Sequence, residues 1–212
     1  MNANEVLESL EWRYATKVFD ANKQIPLEKW HVLQESLHLS PSSLGLQMWK
    51  FIEVDCSQLR QELRSASWDQ SQVTDADKLV VFCARKSFTH EDVMDHLNRI
   101  AQVRGVAIES LDVYKSRILD LVESKSPEVL KAWLERQVYI ALGFMMSSAA
   151  MLRVDTCALE GMDPSAYDRI LGLEDSPYYT LCALALGYRA ESDSYSTMQK
   201  VRFDIKKVIE AR

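Results

Sequence analysis

The sequence predicts one α+β domain in which a modest mixed sheet is covered by helices. Its 212 residues fit a single domain and include only six glycines and five prolines, so helix is expected to be the majority state. Two continuous apolar runs of strand length, residues 79–84 and 179–187, are typical of central strands buried on both faces. The longest uncharged run, residues 137–152, lies between Arg136 and Arg153 and predicts a buried helix slightly too short to span a membrane.

The first part of the chain is predicted to contain three helices and two strands. Residues 3–12 carry their apolar side chains on one helical face, and Pro26 at a first-turn position opens a second helix over residues 27–39. The elements that follow are a short strand over residues 51–54, a helix over 59–67 and the buried strand over 79–84.

The remainder of the chain is predicted to be richer in helix. One helix covers residues 89–103 and stops at Gly105, and another covers residues 109–123. Ser126 caps the longest helix and Pro127 takes its first position. After this helix come a strand over 155–158, a helix from Asp163-Pro164 to near Gly172, the buried strand over 179–187, and a polar stretch with an amphipathic tail.

One face of the longest helix has almost no bulky side chains. Small residues let two helices approach closely, so this face is typical of a helix crossing at the protein centre or at a subunit interface. Ordinary packing within the chain explains it equally well. The residues concerned are Gly143, Ser147, Ser148, Ala149 and Ala150.

Charge and cysteine usage exclude several classes of function. The net charge of −6 argues against general nucleic-acid binding and against an anionic membrane surface as a partner. The four cysteines are isolated and the four histidines show no metal spacing, so we expect buried, reduced thiols in a cytoplasmic protein and no metal site. The sequence contains no G-x-S-x-G, P-loop or G-x-G-x-x-G motif, which disfavours hydrolase, kinase and Rossmann interpretations.

Two pairs of basic residues lie near the two ends of this acidic chain. Arg13 and Lys17 are four residues apart, so on a helix or its C-terminal extension they can address the same ligand. Lys200 and Arg202 are two apart, so in an extended segment both point to one face. Arginine suits bidentate phosphate contacts and lysine supplies a point charge, although either pair taken alone is more typical of a solvated basic edge.

Two turns between these pairs are rich in small or flexible residues. Pro41, Ser42, Ser43 and Gly45 form a turn whose backbone N–H groups and hydroxyls can meet polar ligand atoms. The pair Glu160-Gly161 follows a strand, and glycine allows a close backbone approach that a side chain would block. Two consecutive N–H groups there can bond the electron-accepting edge of a heterocycle. A plain connecting turn is the alternative for both.

Together these motifs resemble the nitroreductase family, the FMN-dependent NAD(P)H oxidoreductases of the bacterial oxygen-insensitive type. The resemblance extends from about Leu10 to Phe203 and rests on motif order as well as identity. The matching motifs are Arg13-x-x-x-Lys17, Ser40-Pro-Ser-Ser-x-Gly-x-Gln-x-Trp49, Leu159-Glu-Gly161 and Lys200-x-Arg202.

The resemblance implies a fold, an assembly and a cofactor site. It implies a mostly antiparallel sheet, an intertwined homodimer with flavins between subunits, and a C-terminal extension from about residue 190 to 212 that reaches the partner. Arg13, Lys200 and Arg202 would hold the FMN phosphate, and Lys17 would stabilise the reduced ring. The other implied cofactor-binding residues are Tyr14, Ala15, Pro41, Ser42, Ser43, Leu44, Gln70, Gln72, Leu159, Glu160 and Gly161. Of these, Ser42 and Ser43 would come from the other subunit, and the backbone N–H groups of Glu160 and Gly161 would face the ring.

The resemblance also implies the reaction. NADH or NADPH would stack on the ring and deliver hydride, and a nitroaromatic, quinone or free flavin would then take the electrons in a ping-pong cycle, without a catalytic side chain. Alternatives are an enone or dihydropteridine acceptor, dehalogenation, fragmentation of the flavin, or a non-enzymatic interaction protein on the same scaffold. Three departures from the family pattern are Ala15 in place of a hydroxyl residue, Met48 in place of proline, and Asp69 with Gln72 in place of an asparagine and a second lysine.

Overall fold

The structure is a computed structural model and describes residues 2–212. It confirms the α+β class: helices cover a four-stranded sheet. The helices are α1 (Ala3–Trp12), α2 (Leu27–His38), α3 (Ser57–Ser65), α4 (Gln72–Asp75), α5 (His90–Arg104), α6 (Asp112–Glu123), α7 (Pro127–Met151), α8 (Pro164–Ile170) and α9 (Ile205–Val208). The strands are β1 (Trp49–Glu53), β2 (Lys78–Arg85), β3 (Asp155–Leu159) and β4 (Tyr178–Gly187).

The sheet has the order β1-β2-β4-β3, and each neighbouring pair of these strands is antiparallel. The predicted buried strands, β2 and β4, lie at its centre. Alternate residues of β4 enter opposite cores: Cys182 and Leu184 pack with α2 and α7, whereas Ala183 and Ala185 face the side of α3 and α8. Parallel pairing occurs at an isolated bridge between Ala15 and Thr156, where the chain after α1 joins the edge strand β3.

Helix α7 covers one face of the sheet and links it to α5 and α6. The Ser126 side chain caps the helix by accepting from Val129 N, and Pro127 occupies the first turn, as the sequence predicts. The predicted small-residue face is divided: Ala149 and Ala150 are buried within the chain, whereas a Cβ added at Gly143 would meet no atom of the described residues within 4 Å. Within residues 2–212, no helix is both long and apolar enough to cross a membrane.

Several boundaries and one burial prediction differ from the sequence analysis. Pro26 is the N-cap of α2 and does not lie in its first turn. The predicted helix over residues 109–123 is divided, because a 3-10 turn over Ile108–Leu111 precedes α6. Cys56 is exposed, contrary to the prediction of four buried thiols, because it precedes the surface helix α3 and does not belong to an apolar strand.

Candidate functional site

The segment after α1 carries the first basic pair along the edge of the sheet. Helix α1 ends at Trp12, and Thr16 N donates to Thr156 O at 3.1 Å, so residues 13–17 are not helical. Arg13 and Lys17 therefore lie on the C-terminal extension of α1, which is one of the two settings that the sequence predicted, and not on the helix itself. Because the bridge at Ala15 is parallel, Lys17 lies level with the C-terminal end of β3.

A buried carboxylate joins this segment to the C-terminal region. Asp193 is only 1% exposed and accepts from the hydroxyl of Tyr14 (2.9 Å) and from the backbone N–H groups of Lys17 (2.8 Å) and Val18 (3.2 Å). Its second oxygen accepts from Tyr195 N at 3.0 Å. Burial raises the pKa of Asp193, but these hydrogen bonds outweigh it and hold that pKa below its ordinary value. The sequence analysis did not identify this residue.

The two basic pairs meet at one cavity of about 600 Å³. We call it the basic cavity; it lies between the end of α1 and the C-terminal segment, and its lining includes Arg13, Tyr14, Ala15, Lys17, Arg189, Lys200 and Arg202. Lys200 Nζ donates to the backbone oxygens of Leu10 (2.8 Å) and Arg13. Burial lowers the pKa of Lys200, and the neighbouring charges of Arg13 and Arg202 lower it further. Cations concentrated in this way are suited to an anionic ligand.

The Arg13 side chain is the clearest sign of what the basic cavity can hold. Its Nε is buried and has no hydrogen-bond partner in the described chain. An unsatisfied buried donor on a guanidinium costs about 1–3 kcal/mol or more, so such groups normally face an acceptor. A phosphate oxygen in the cavity would satisfy it, and the surrounding positive charges fit a dianion.

Arg189 is a further lining residue that the sequence analysis missed. Its Nε lies 2.8 Å from Asp155 Oδ1, and its guanidinium lies 4.2 Å from the Trp12 ring centre and 4.5 Å from that of Tyr14. The carboxylate of Asp155 offsets much of the Arg189 charge, so this arginine supports the wall of the cavity. Burial and the hydrogen bond to Asp193 raise the pKa of Tyr14 to about 12, so its hydroxyl stays a donor.

The turn after β3 presents backbone donors at the end of the strand beside Lys17. Among the described residues, the N–H groups of Glu160 and Gly161 donate to no acceptor. The carbonyl oxygens of the turn are engaged: Met162 N donates to Glu160 O at 2.9 Å, and Gln70 Nε2 donates to Gly161 O at 2.7 Å. The buried side chain of Leu159 anchors the preceding strand end. The turn can therefore bond two acceptor atoms of a ligand.

Trp68 is a third residue to which the sequence motifs assigned no role. It is 78% exposed, yet a Cβ added at Gly161 would lie 2.6 Å from its ring. Trp68 and Asp69 both have positive φ, which is costly for residues with a side chain. An isolated tryptophan in a polar stretch was its sequence signal.

Gly161→Ala is expected to lower the free energy of unfolding by about 0.5–1.5 kcal/mol, because the new methyl group would overlap the Trp68 ring and force this exposed side chain out of its rotamer. Urea unfolding followed by circular dichroism measures this change. The matched control is the same substitution in a Trp68→Ala background, where the cost should largely disappear. An equal cost in both backgrounds would show that the ring is not the obstacle.

The structure does not bring the other predicted residues to the basic cavity of the same chain. Pro41, Ser42, Ser43 and Leu44 form a separate loop, in which Ser42 Oγ accepts from Gln47 N at 2.9 Å. Ser43 N donates to Gln137 Oε1 of α7 at 2.8 Å. Gln72 is buried at the start of α4, so of the two candidate amides only Gln70 reaches the turn.

Fold and sequence together identify the class of protein. The four-stranded antiparallel sheet with the long helix α7 across one face is the fold of a solved nitroreductase structure. The family model described as "Nitroreductase family" matches residues 10–188. The chain belongs to the nitroreductase family and is an oxidoreductase, which confirms the resemblance inferred from the motifs.

Similar proteins agree with this assignment over nearly the whole chain. A Staphylococcus epidermidis protein provisionally named NAD(P)H nitroreductase is 34% identical, with 97% of each chain covered. A solved structure from Bacillus subtilis, provisionally named nitroreductase, has a TM-score of 0.87 at 18% identity and full coverage of both chains. Another, from Exiguobacterium sibiricum and solved in complex with FMN, has a TM-score of 0.81 at 19% identity, with 100% of this chain and 98% of that chain covered.

Proposed function

We propose that this chain binds FMN and uses it to pass electrons from NADH or NADPH to a small-molecule acceptor such as a nitroaromatic or a quinone. The observation that carries the proposal is that Arg13, Lys200 and Arg202 line one cavity, and that the buried Nε of Arg13 has no hydrogen-bond partner within residues 2–212. The FMN of the Exiguobacterium protein and the name of the S. epidermidis relative support it.

In this proposal the basic cavity holds the FMN phosphate through Arg13, Lys200 and Arg202. Lys17 contributes a positive charge near the end of β3, which favours negative charge on the reduced ring. The free N–H groups of Glu160 and Gly161 donate to the ring edge, and Gln70 holds their turn in place. Bound FMN would accept hydride from the nicotinamide and then pass the electrons to the acceptor. The order is ping-pong if the nicotinamide and the acceptor use the same face of the ring.

We also propose that the chain acts as a homodimer in the cytoplasm, with residues from about 190 onward reaching the partner. Large apolar side chains are exposed on α7 and on the C-terminal segment; they include Ile140, Phe144, Phe203, Ile205, Val208 and Ile209. Exposed apolar surface of this extent is typical of a protein interface. The loop with Ser42 and Ser43 lies away from the basic cavity of its own chain, which fits a role at the partner's flavin. Light scattering of the purified full chain tests the dimer.

Arg202→Ala is expected to weaken FMN binding about 10- to 100-fold, because a hydrogen bond to a charged phosphate contributes about 1.5–3 kcal/mol. Titration of flavin-free protein with FMN, followed by flavin fluorescence, measures the dissociation constant. Arg212→Ala is the matched control, since Arg212 lies in the same C-terminal segment but pairs with Glu210 at 3.2 Å. Equal affinity of both variants and the wild type would contradict the phosphate assignment.

The visible spectrum of the purified protein is the direct test of the proposed function. A flavin absorption band that FMN restores after its removal would support it, together with NADH or NADPH oxidation that depends on an added acceptor. A panel with a nitroaromatic, a quinone, an enone and free flavin separates the acceptor classes. A colourless protein that does not take up FMN would refute the proposal.

A further inference from the structure

The turn of Glu160 and Gly161 is held from two opposite directions. On one side, Gln70 Nε2 donates to Gly161 O at 2.7 Å. On the other side, the hydroxyl of Tyr139, in the middle of α7, donates a short hydrogen bond to Glu160 Oε1. The two contacts connect the turn to parts of the chain that are far apart in sequence, while its own N–H groups donate to no acceptor in the part of the chain that the structure describes.

The Tyr139 hydroxyl is suited to a fixed donor role. The side chain is 39% exposed, but burial of the hydroxyl region and the hydrogen bond to Glu160 raise the pKa of Tyr139 above its ordinary value. The hydroxyl therefore keeps its proton throughout the physiological pH range and cannot act as a base. Its effect on the turn is to orient the Glu160 carboxylate and to offset part of its negative charge.

We propose that Tyr139 is a positioning residue for the flavin-facing turn, acting through the Glu160 carboxylate. The inference rests on the proposed function, because it assumes that the free N–H groups of Glu160 and Gly161 face the ring. The Glu160 carboxylate, next to these N–H groups, disfavours negative charge on the reduced ring. The hydrogen bond from the Tyr139 hydroxyl offsets part of the carboxylate charge and so weakens this unfavourable effect. The bond from α7 thereby favours the reduced state of the flavin.

The chain offers a matched control on the same helix. Tyr179 of β4 donates its hydroxyl to Glu135 Oε1 of α7 at 2.7 Å. This second Tyr–Glu pair has the same chemistry and also ties α7 to another element, but Glu135 is not part of the turn. Tyr179→Phe therefore reports the purely structural cost of losing such a bond.

The experiment compares FMN-loaded wild type with the Tyr139→Phe and Tyr179→Phe variants. In Tyr139→Phe we expect a more negative midpoint potential of the bound flavin. We also expect about a tenfold lower rate constant for flavin reduction by NADH, because the variant loses one hydrogen bond to a charged group. FMN affinity should change less than about threefold, because the phosphate contacts remain. Tyr179→Phe should match the wild type in both potential and rate.

A second variant makes the test independent of folding defects. Glu160→Gln keeps an acceptor for Tyr139 but removes the negative charge, so we expect a less negative potential than in the wild type. In this background Tyr139→Phe should shift the potential by a smaller amount, which a double-mutant cycle quantifies. An unchanged potential in Tyr139→Phe, or equal shifts in both tyrosine variants, would overturn the positioning role alone. A wild type that binds no FMN would overturn the proposed function and this role with it.

Discussion

Asp155→Ala is expected to lower the free energy of unfolding by about 3–5 kcal/mol, the usual cost of removing one partner of a buried ion pair. Asp155 is 3% exposed, and it accepts from the Arg189 guanidinium at 2.8 Å and from Arg189 N at 2.9 Å. The variant leaves the Arg189 guanidinium, which lies against the Trp12 and Tyr14 rings, without the carboxylate that balances its charge. Equilibrium urea unfolding at pH 7 measures the change.

The control for this prediction is an ion pair at the surface. Glu210→Ala removes the partner of Arg212, a pair at 3.2 Å whose side chains are both largely exposed. Surface pairs contribute about 0–1 kcal/mol, so this variant should unfold almost as the wild type does. A cost for Asp155→Ala as small as that of Glu210→Ala would contradict the importance assigned to the buried pair.

Asp193→Ala is expected to lower the free energy of unfolding by about 3–4 kcal/mol and to release the segment that carries Lys17. The Tyr14 hydroxyl and the N–H groups of Lys17, Val18 and Tyr195 would all lose their acceptor. Because Lys17 and the C-terminal cations line one cavity, FMN affinity should fall as well. Urea unfolding and FMN titration measure the two effects.

The pH dependence of this effect follows from the depressed pKa of Asp193. A carboxylate whose pKa is lower in the folded than in the unfolded protein contributes its full stability above the unfolded value of about 4. That contribution disappears as the pH falls through the lower folded value. The difference in stability between wild type and Asp193→Ala should therefore be constant near neutrality and shrink below about pH 4.

A surface aspartate supplies the control. Asp204 caps the exposed helix α9 by accepting from Lys206 N at 2.8 Å, so Asp204→Ala should cost only about 1 kcal/mol. If Asp193→Ala cost no more than Asp204→Ala, or if its cost did not depend on pH in acid, the stabilising role assigned to the Asp193 carboxylate would be wrong.

The fold could be predicted well where one local signal dominated. The apolar runs of β2 and β4 predicted central strands because both sheet faces are covered, and Ser126 with Pro127 marked the start of α7. Where local signals competed, the prediction failed in detail. The helix predicted over residues 109–123 divides at a 3-10 turn, and the short helix α4 carried too few residues to show a period.

The candidate site was likewise predicted only in part from the sequence. The basic residues were visible in the sequence because they form short motifs near the chain ends, and the structure brings Arg13, Lys17, Lys200 and Arg202 to one cavity. Their roles toward FMN stay predictions until flavin binding is measured. Asp193, Arg189 and Tyr139 were missed, because each has an ordinary residue type in an ordinary local setting.

Most helices and strands of this protein, its family and its basic motifs could be recognised from the amino-acid sequence alone. Burial pattern, capping and turn chemistry act between neighbouring residues, so they can be recognised without coordinates. Which groups support the cavity and the turn became clear only from the folded chain: Asp193 accepts from Lys17 N over a separation of 176 residues, and Tyr139 of α7 donates to Glu160. Such contacts depend on how distant parts of the chain pack together. A pattern among neighbouring residues does not show which side chains this packing brings into contact.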